Sequence, residues 1–304
     1  METNPKISGV LPVLQMPYSE NNTIDYDILS REIDYVIEAG SDGVVLALAS
    51  DLMRLTHEER LELTAKIPEM VAGRVTVTIS CGAETIKNAV GYALASERAG
   101  ADAVMAIPPI ANKFPENGVF EYYKAIHDAI EIPLVIQDAS GYLGQPLSMN
   151  LLIRLRNELS PRVYYKPEAQ PIGQTVSRLQ KAFKNEGVIF EGMGGLQIID
   201  SYRRGISGTM PGCDLIKGMV ELWRALSHGD DRRAYEVYFP LAAIVILQLS
   251  SLDAFLTIGK YLLMKQGVFR NKLLRRPFGF EMDVETATEV DRLYALYEKS
   301  LGKK

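Results

Sequence analysis

Short apolar runs rich in β-branched residues alternate with amphipathic stretches along most of this chain. The strand candidates are GVLPVLQ (9–15), GVVLALA (43–49), VTVTIS (75–80), AVMAIP (103–108), PLVIQD (133–138), RVYYK (162–166), VIFEG (188–192) and SGTMPG (207–212). Most are apolar throughout, as strands covered on both faces must be. The intervening segments have helical spacing. In DYDILSREIDYVIEAG (25–40), Ile28, Leu29, Ile33, Val36 and Ile37 recur at the period of a helix face. THEERLEL (56–63) opens with Thr56 and Glu59 spaced for a capping box. The junction AGSDGV (39–44) returns as AGADAV (99–104), two βα units later. From GDDRRAYEVY onward only helical patterns remain, over 231–249, 251–266 and 284–302, with RRPFGFEMD (275–283) as the obvious interruption.

Eight strands with helices between them in about 225 residues predict an α/β fold, a closed (β/α)8 or TIM barrel over 1–228, followed by a C-terminal helical extension over 229–304. An open doubly wound sheet is the alternative, but no glycine-rich dinucleotide loop follows the first strand. The 304 residues, 47% hydrophobic and 23% charged, suit one large domain or two medium ones. A net charge of -5 with both signs interspersed, and no long basic run, argues against a nucleic-acid partner. PLAAIVILQL (240–249) falls short of the ~20 residues a membrane span needs and reads as a buried helix. The start, METNPKISGVLPVLQ, lacks the organisation of a signal peptide, so a cytoplasmic protein is expected. Cys81 and Cys213 read as buried thiols of a reducing compartment. His57, His127 and His228 are too widely spaced to suggest a metal site, and no cofactor is expected.

Against this background VYYKPEA (163–169) is anomalous, because it drives an ammonium into the end of an apolar strand. Barrel chemistry gathers at the C-terminal ends of strands, and Pro167 cannot extend a ladder, so Lys166 belongs at the mouth. An aliphatic wall raises the cost of an ammonium charge. A neutral amine there attacks a ketone to form an imine. The alternatives are a snorkelling surface lysine, or one paired with Glu168 or another carboxylate at the rim.

The layout resembles the dihydrodipicolinate synthase / N-acetylneuraminate lyase family of Schiff-base lyases. The resemblance covers most of the chain: GVLPVLQMPYSENNTIDYDIL, AGSDGVVLALASDLMRLTHEER, GADAVMAIPP, IPLVIQDASGYLG and YYKPEA are similar to the family's first, second, fourth, fifth and sixth strands with their loops. It implies that Lys166 is the imine-forming lysine. Departures narrow the implied function. Ala47-Leu48-Ala49-Ser50-Asp51 stands where the synthases carry Gly-Thr-Thr-Gly-Glu. Gln137 replaces the fifth-strand tyrosine, and Ile110 the tyrosine lent by a neighbouring subunit. An amide orients but does not shuttle protons. Gln137-Asp138, Lys166-x-Glu168 and Ser50-Asp51 together resemble the sugar-acid branch, similar to 2-keto-3-deoxy-L-arabonate dehydratase.

The resemblance thus implies a small-molecule 2-keto acid substrate and a homotetramer. The substrate carboxylate would lie near Ser50 and Asp51, held mainly by hydroxyl and backbone N–H donors, unless the pair only shapes a turn. Dehydration needs a base at C3 and an acid at the C4 hydroxyl. Asp138 and Glu168 are the candidates, with a loop cap and a salt bridge as their structural readings, and Gln137 would hydrogen-bond the keto acid. Tyr142, Tyr164 or Tyr165 could supply a hydroxyl, or pack in the core. EGMGGLQ (191–197) either lets substrate approach the backbone, with Gly192 as the candidate, or makes a tight turn. Lys260 resembles a structural position of the extension. Aldol cleavage of such a sugar acid stays open beside its dehydration, and true dihydrodipicolinate synthase and a non-catalytic keto-acid-binding relative are the competing functions.

Overall fold

The computed structural model describes residues 7–141 and 144–302. Strands and helices alternate as the sequence pattern predicts. The strands are β1 (Gly9–Val10), β2 (Gly43–Leu46), β3 (Thr76–Ser80), β4 (Ala103–Ala106), β5 (Leu134–Asp138), β6 (Val163–Pro167), β7 (Phe190–Glu191) and β8 (Gly208–Thr209). Between and after them run α1 (Tyr26–Glu38), α2 (His57–Val71), α3 (Ile86–Arg98), α4 (Glu116–Ala129), α5 (Met149–Glu158), α6 (Ile172–Ala182), α7 (Ile198–Arg203) and α8 (Ile216–Ser227). Three further helices close the chain: α9 (Asp231–Gln248), α10 (Leu252–Lys265) and α11 (Val284–Ser300). The capping box at Thr56 is present: Glu59 N donates to Thr56 Oγ1 (3.2 Å) and Thr56 N to Glu59 Oε2 (2.9 Å).

The chain forms two compact units. One comprises Thr56–Gly192 and Asp200–Thr209 with Ile7 and Ser8. Within it β3, β4, β5 and β6 pair in parallel in sequence order, and β7 pairs with β8. A bridge from Tyr165 to Ile189 joins β6 to β7. Every residue of β4 and β5 is buried, so the apolar sequence of β4 and of the first three residues of β5 reflects cover on both faces. The helices α3 and α4 pack together, as do α4 with α5 and α5 with α6.

The other unit comprises Gly9–Leu55, Met193–Ile199 and residues 210–302. Here Val13 bridges both Val45 and Gly212 in parallel. The helix α9 packs on α8, α10 and α11. Its apolar segment 240–249 does not form a wholly buried helix: Leu241, Ile244 and Val245 are buried, while Ile246 is 59% exposed. None of the described helices is long and apolar enough to cross a membrane.

The echoed junctions AGSDGV and AGADAV are one device used twice. After each helix an aspartate turns back on the preceding strand: Asp42 Oδ2 accepts from Val10 N (2.8 Å), and Asp102 Oδ2 from Val77 N (2.7 Å). Each aspartate also donates its own N–H to that residue's carbonyl at 2.8 Å. At both junctions the motif ties a helix exit to the strand before it.

Candidate active site

Lys166 is the fourth residue of β6, and the parallel register sets Gln137 of β5 beside it and Asp138 beside Pro167. Register partners in a parallel pair present their side chains to one face, and a residue two further on returns to that face. Glu168 therefore joins Lys166 and Gln137. Its N–H donates to Asp138 O (3.0 Å), which fixes the chain just past the proline. Lys166 Nζ donates to Glu168 Oε1 (3.1 Å), and Gln137 Nε2 donates to Glu168 Oε2 (2.6 Å). All three side chains are buried, Lys166 being only 4% exposed.

Gly192 completes this cluster. A β-carbon there would lie 2.4 Å from Glu168 Oε1 and 2.5 Å from its Cγ, so no side chain fits at this position without displacing the carboxylate. The glycine-rich segment thus has a task at its first glycine beyond making a turn. Asp138 is engaged differently. Its Oδ1 accepts from Ser140 N (3.1 Å) and its Oδ2 from Leu147 N (3.0 Å), so the carboxylate spans and holds the loop after β5.

Tyr165 donates to Leu152 O (2.7 Å) and stacks on Phe183, so its hydroxyl serves the packing of α5 and α6. Tyr164, two residues before Lys166, shares its face but sits about 6–7 Å toward the start of the strand, and burial pushes its phenol up. Tyr142 lies outside the described residues. The loop bearing Ile110 is held by Glu84, whose two oxygens accept from Ile110 N and Ala111 N (both 3.0 Å).

Sequence reasoning missed Glu191. This fully buried carboxylate ends β7 and accepts from Thr209 Oγ1 of β8 (2.9 Å), its register partner. The signal was available, because VIFEG carries a charge into an apolar strand just as VYYK does.

Ser50 and Asp51 belong to the other unit. Residues Leu48–Ser50 and Leu52–Arg54 form two single 3-10 turns with Asp51 between them at φ 56°. Ser50 Oγ accepts from Ala47 N (3.0 Å). Asp51 accepts from Arg54 NH1 on Oδ1 (3.0 Å) and from Lys260 Nζ on Oδ2 (3.3 Å), and both the Asp51 and Lys260 side chains are fully buried. Lys260 also donates to Leu273 O (2.9 Å) and lies 4.6 Å from the Tyr18 ring centre. Burial pushes its ammonium below the ordinary lysine range, and Asp51 opposes that shift. Arg54 continues the chain of charges to Asp253 Oδ1 (2.6 Å). Arg54 was not anticipated, since nothing local in the sequence joins it to a residue 199 positions away.

Comparison with known proteins adds to this geometry. The sequence model of the Dihydrodipicolinate synthetase family matches residues 6–295. The L-2-keto-3-deoxyarabonate dehydratase of Azospirillum brasilense is 30% identical over 299 residues, covering 95% of this chain and 94% of that protein. The 4-hydroxy-tetrahydrodipicolinate synthase of Enterococcus faecalis is 28% identical over 227 residues, 73% of this chain and 76% of that one. Among solved structures, the 4-hydroxy-tetrahydrodipicolinate synthase of Methylacidiphilum fumariolicum superimposes with a TM-score of 0.89 at 20% identity, over 98% of each chain. The dihydrodipicolinate synthase of Rhodopseudomonas palustris gives 0.88 at 22% identity, over 97% of this chain and 99% of that one. These likenesses carry the fold, a (β/α)8 barrel with a C-terminal helical region, as the alternation of strands and helices predicts. With nearly the whole chain matched, this protein is a lyase of the dihydrodipicolinate synthetase family.

Proposed function

We propose that the protein is a Schiff-base lyase that dehydrates a 2-keto-3-deoxy sugar acid, with Lys166 as the nucleophile. The observation that carries the proposal is the buried set in which Glu168 holds Lys166 on one oxygen and Gln137 on the other. The relative named L-2-keto-3-deoxyarabonate dehydratase, aligned along nearly its full length, supports the choice of substrate class.

In this reading the Lys166 amine adds to the C2 carbonyl, and water leaves as the imine forms. The protonated imine acidifies C3, and Glu168 takes a C3 proton to leave an enamine. The enamine electron pair expels the C4 hydroxyl, which departs as water with the proton that Glu168 returns. Hydrolysis of the imine then frees the lysine. Retro-aldol cleavage shares the protonated imine, but there the base takes the C4 hydroxyl proton and C3–C4 breaks, giving an aldehyde and the pyruvate enamine. Gln137 orients substrate and carboxylate, and Gly192 leaves room for Glu168. We assign Asp138 to holding its loop, because backbone N–H groups occupy both of its oxygens. Ser50 and Asp51 we likewise assign to their turn, since Ala47, Arg54 and Lys260 take up their acceptors.

A catalytic barrel over 1–228 with an extension over 229–304, a homotetramer and a cytoplasmic location complete the proposal. The competing reading condenses pyruvate with aspartate semialdehyde, as relatives named 4-hydroxy-tetrahydrodipicolinate synthase suggest. It needs a hydroxyl relay that Leu48, Ala49, Gln137 and Ile110 cannot form.

The test is to incubate the protein with 2-keto-3-deoxy-L-arabonate, and separately with pyruvate, then add borohydride and map mass increases by peptide mass spectrometry. An adduct on Lys166 is the expected result. Its absence from folded protein with both compounds would sink the lyase mechanism. Product analysis without borohydride separates loss of water from release of pyruvate.

A further inference from the structure

We infer that Gln137 Oε1 is an acceptor for a hydroxyl on the substrate's carbon chain, and that it makes the site selective for hydroxylated 2-keto acids. The inference rests on the imine reading of Lys166 and adds to it the substrate feature that is read. Gln137 is 2% exposed and its two amide atoms have different fates. Nε2 donates to Glu168 Oε2 at 2.6 Å, whereas Oε1 is buried without a hydrogen-bond partner among the described residues. Exchanging the two ends of the amide would set its oxygen against a carboxylate oxygen, so Glu168 dictates which end remains open. A buried acceptor without a donor carries a free-energy cost that an arriving donor removes.

The donors a 2-keto acid can offer are few. Its carboxylate and keto oxygens only accept. Once the imine has formed, its single N–H is met by Glu168 Oε1, the atom that Lys166 Nζ already contacts at 3.1 Å. A chain hydroxyl is what remains, and pyruvate has none. Binding pyruvate therefore leaves Gln137 Oε1 unmet, while a 2-keto-3-deoxy sugar acid can satisfy it. A polar site of this kind rejects a partner lacking the hydrogen-bonding group far more strongly than an apolar pocket rejects a size mismatch.

The test compares 2-keto-3-deoxy-L-arabonate with 2-oxopentanoate, which keeps the five-carbon skeleton and the keto acid but lacks hydroxyls. The readout is the concentration giving half-maximal borohydride-trapped adduct on Lys166, followed by intact-protein mass spectrometry. For the unaltered protein the hydroxylated compound should reach half-labelling at a concentration roughly 10–100-fold lower. In Gln137→Met, similar in length but without the amide oxygen, that ratio should fall to within about threefold. A residue that only shaped the pocket would shift both concentrations and leave the ratio intact. Equal half-labelling in the unaltered protein, or a ratio unchanged in Gln137→Met, overturns the inference while leaving the imine standing. Absence of any adduct with either compound overturns the imine reading and this inference with it. The first arm needs no variant, so a failure of Gln137→Met to fold does not protect the inference.

Discussion

In the proposed mechanism, a carboxylate gripped on one oxygen by Lys166 and on the other by Gln137 exchanges a proton with the substrate bonded to that lysine, with little movement. Glu168→Gln preserves the shape and removes the base. We expect turnover to fall by about 10²–10⁴-fold while borohydride still labels Lys166, because imine formation and proton transfer are separate demands. Retained turnover in that variant would move the proton to another group. Gly192→Ala tests the same carboxylate from the other side. Its new β-carbon meets Glu168 Oε1 at 2.4 Å, so the carboxylate must swing away. Turnover should drop by roughly a hundredfold, the scale of an ångström's misplacement, and the melting temperature should fall as well, because the buried Lys166 loses its partner. Lys166 and Glu168 were legible in the sequence because charges in an apolar strand contradict burial unless they are paired. The service of Gly192 to Glu168 was not legible. It depends on a contact between two strands, and glycine before a helix has commoner explanations.

At the scale of elements, each strand overlaps an anticipated run, and α1, α2 and the three closing helices fall on anticipated segments, but most strands are shorter than their apolar runs, and the reason is chemical. GVLPVLQ yields only Gly9–Val10 as strand, followed by isolated bridges at Val13. Pro12 has no N–H to give, and its carbonyl accepts from Val45 N (2.9 Å) while Val13 N turns to Pro211 O (2.7 Å). The prolines break a continuous ladder into single bridges without disturbing the parallel order. What the sequence could not disclose is how the turn after β2 is secured. Ser50-Asp51 resembled a substrate loop, yet Asp51 is bound to Lys260 of α10, a pairing between positions 209 apart. Removing one member of a buried pair leaves the other charge uncompensated. Asp51→Ala should therefore cost about 3–5 kcal/mol, seen as a clear drop in the calorimetric melting temperature. Adding Lys260→Met should restore part of that drop, since replacing both members of a buried pair by apolar groups is often close to neutral. If the double variant melted lower than Asp51→Ala, the lysine would be held for its bonds to Leu273 and Tyr18 and not for its charge pairing.

For the molecule as a whole, stability should depend on pH through buried carboxylates that desolvation holds above the ordinary carboxylate range. Glu32 on α1 is fully buried, and desolvation raises its pKa from 4.5 to about 8 against the opposing bond from Gln15 N. Cys213, Lys260 and Asp214 are the titratable groups that face it. Asp214 is raised from 3.8 to about 6, again by desolvation, with Gln248 Nε2 (2.7 Å) opposing. A raised carboxylate binds its proton more tightly in the folded chain than in the unfolded one. Its contribution is therefore fully present below the unfolded pKa and is lost as pH climbs through the folded pKa. The window for Glu32 runs from about 4.5 to 8, and its span corresponds to a loss on the order of 4–5 kcal/mol. Exposed carboxylates such as Asp128 and Asp283 are lowered by their hydrogen-bond donors and act with the opposite sign, weakening the fold only as pH falls into the acid range. The melting temperature should thus decline from pH 5 to pH 8. Glu32→Gln places a neutral isostere where the folded chain prefers a protonated acid, and its amide oxygen can still accept from Gln15 N. That variant should melt near the parent at pH 5 and above it at pH 8, removing more than half of the decline. A decline of unchanged slope would mean that the proton is taken up elsewhere, with Asp214→Asn as the next variant to melt across the same range.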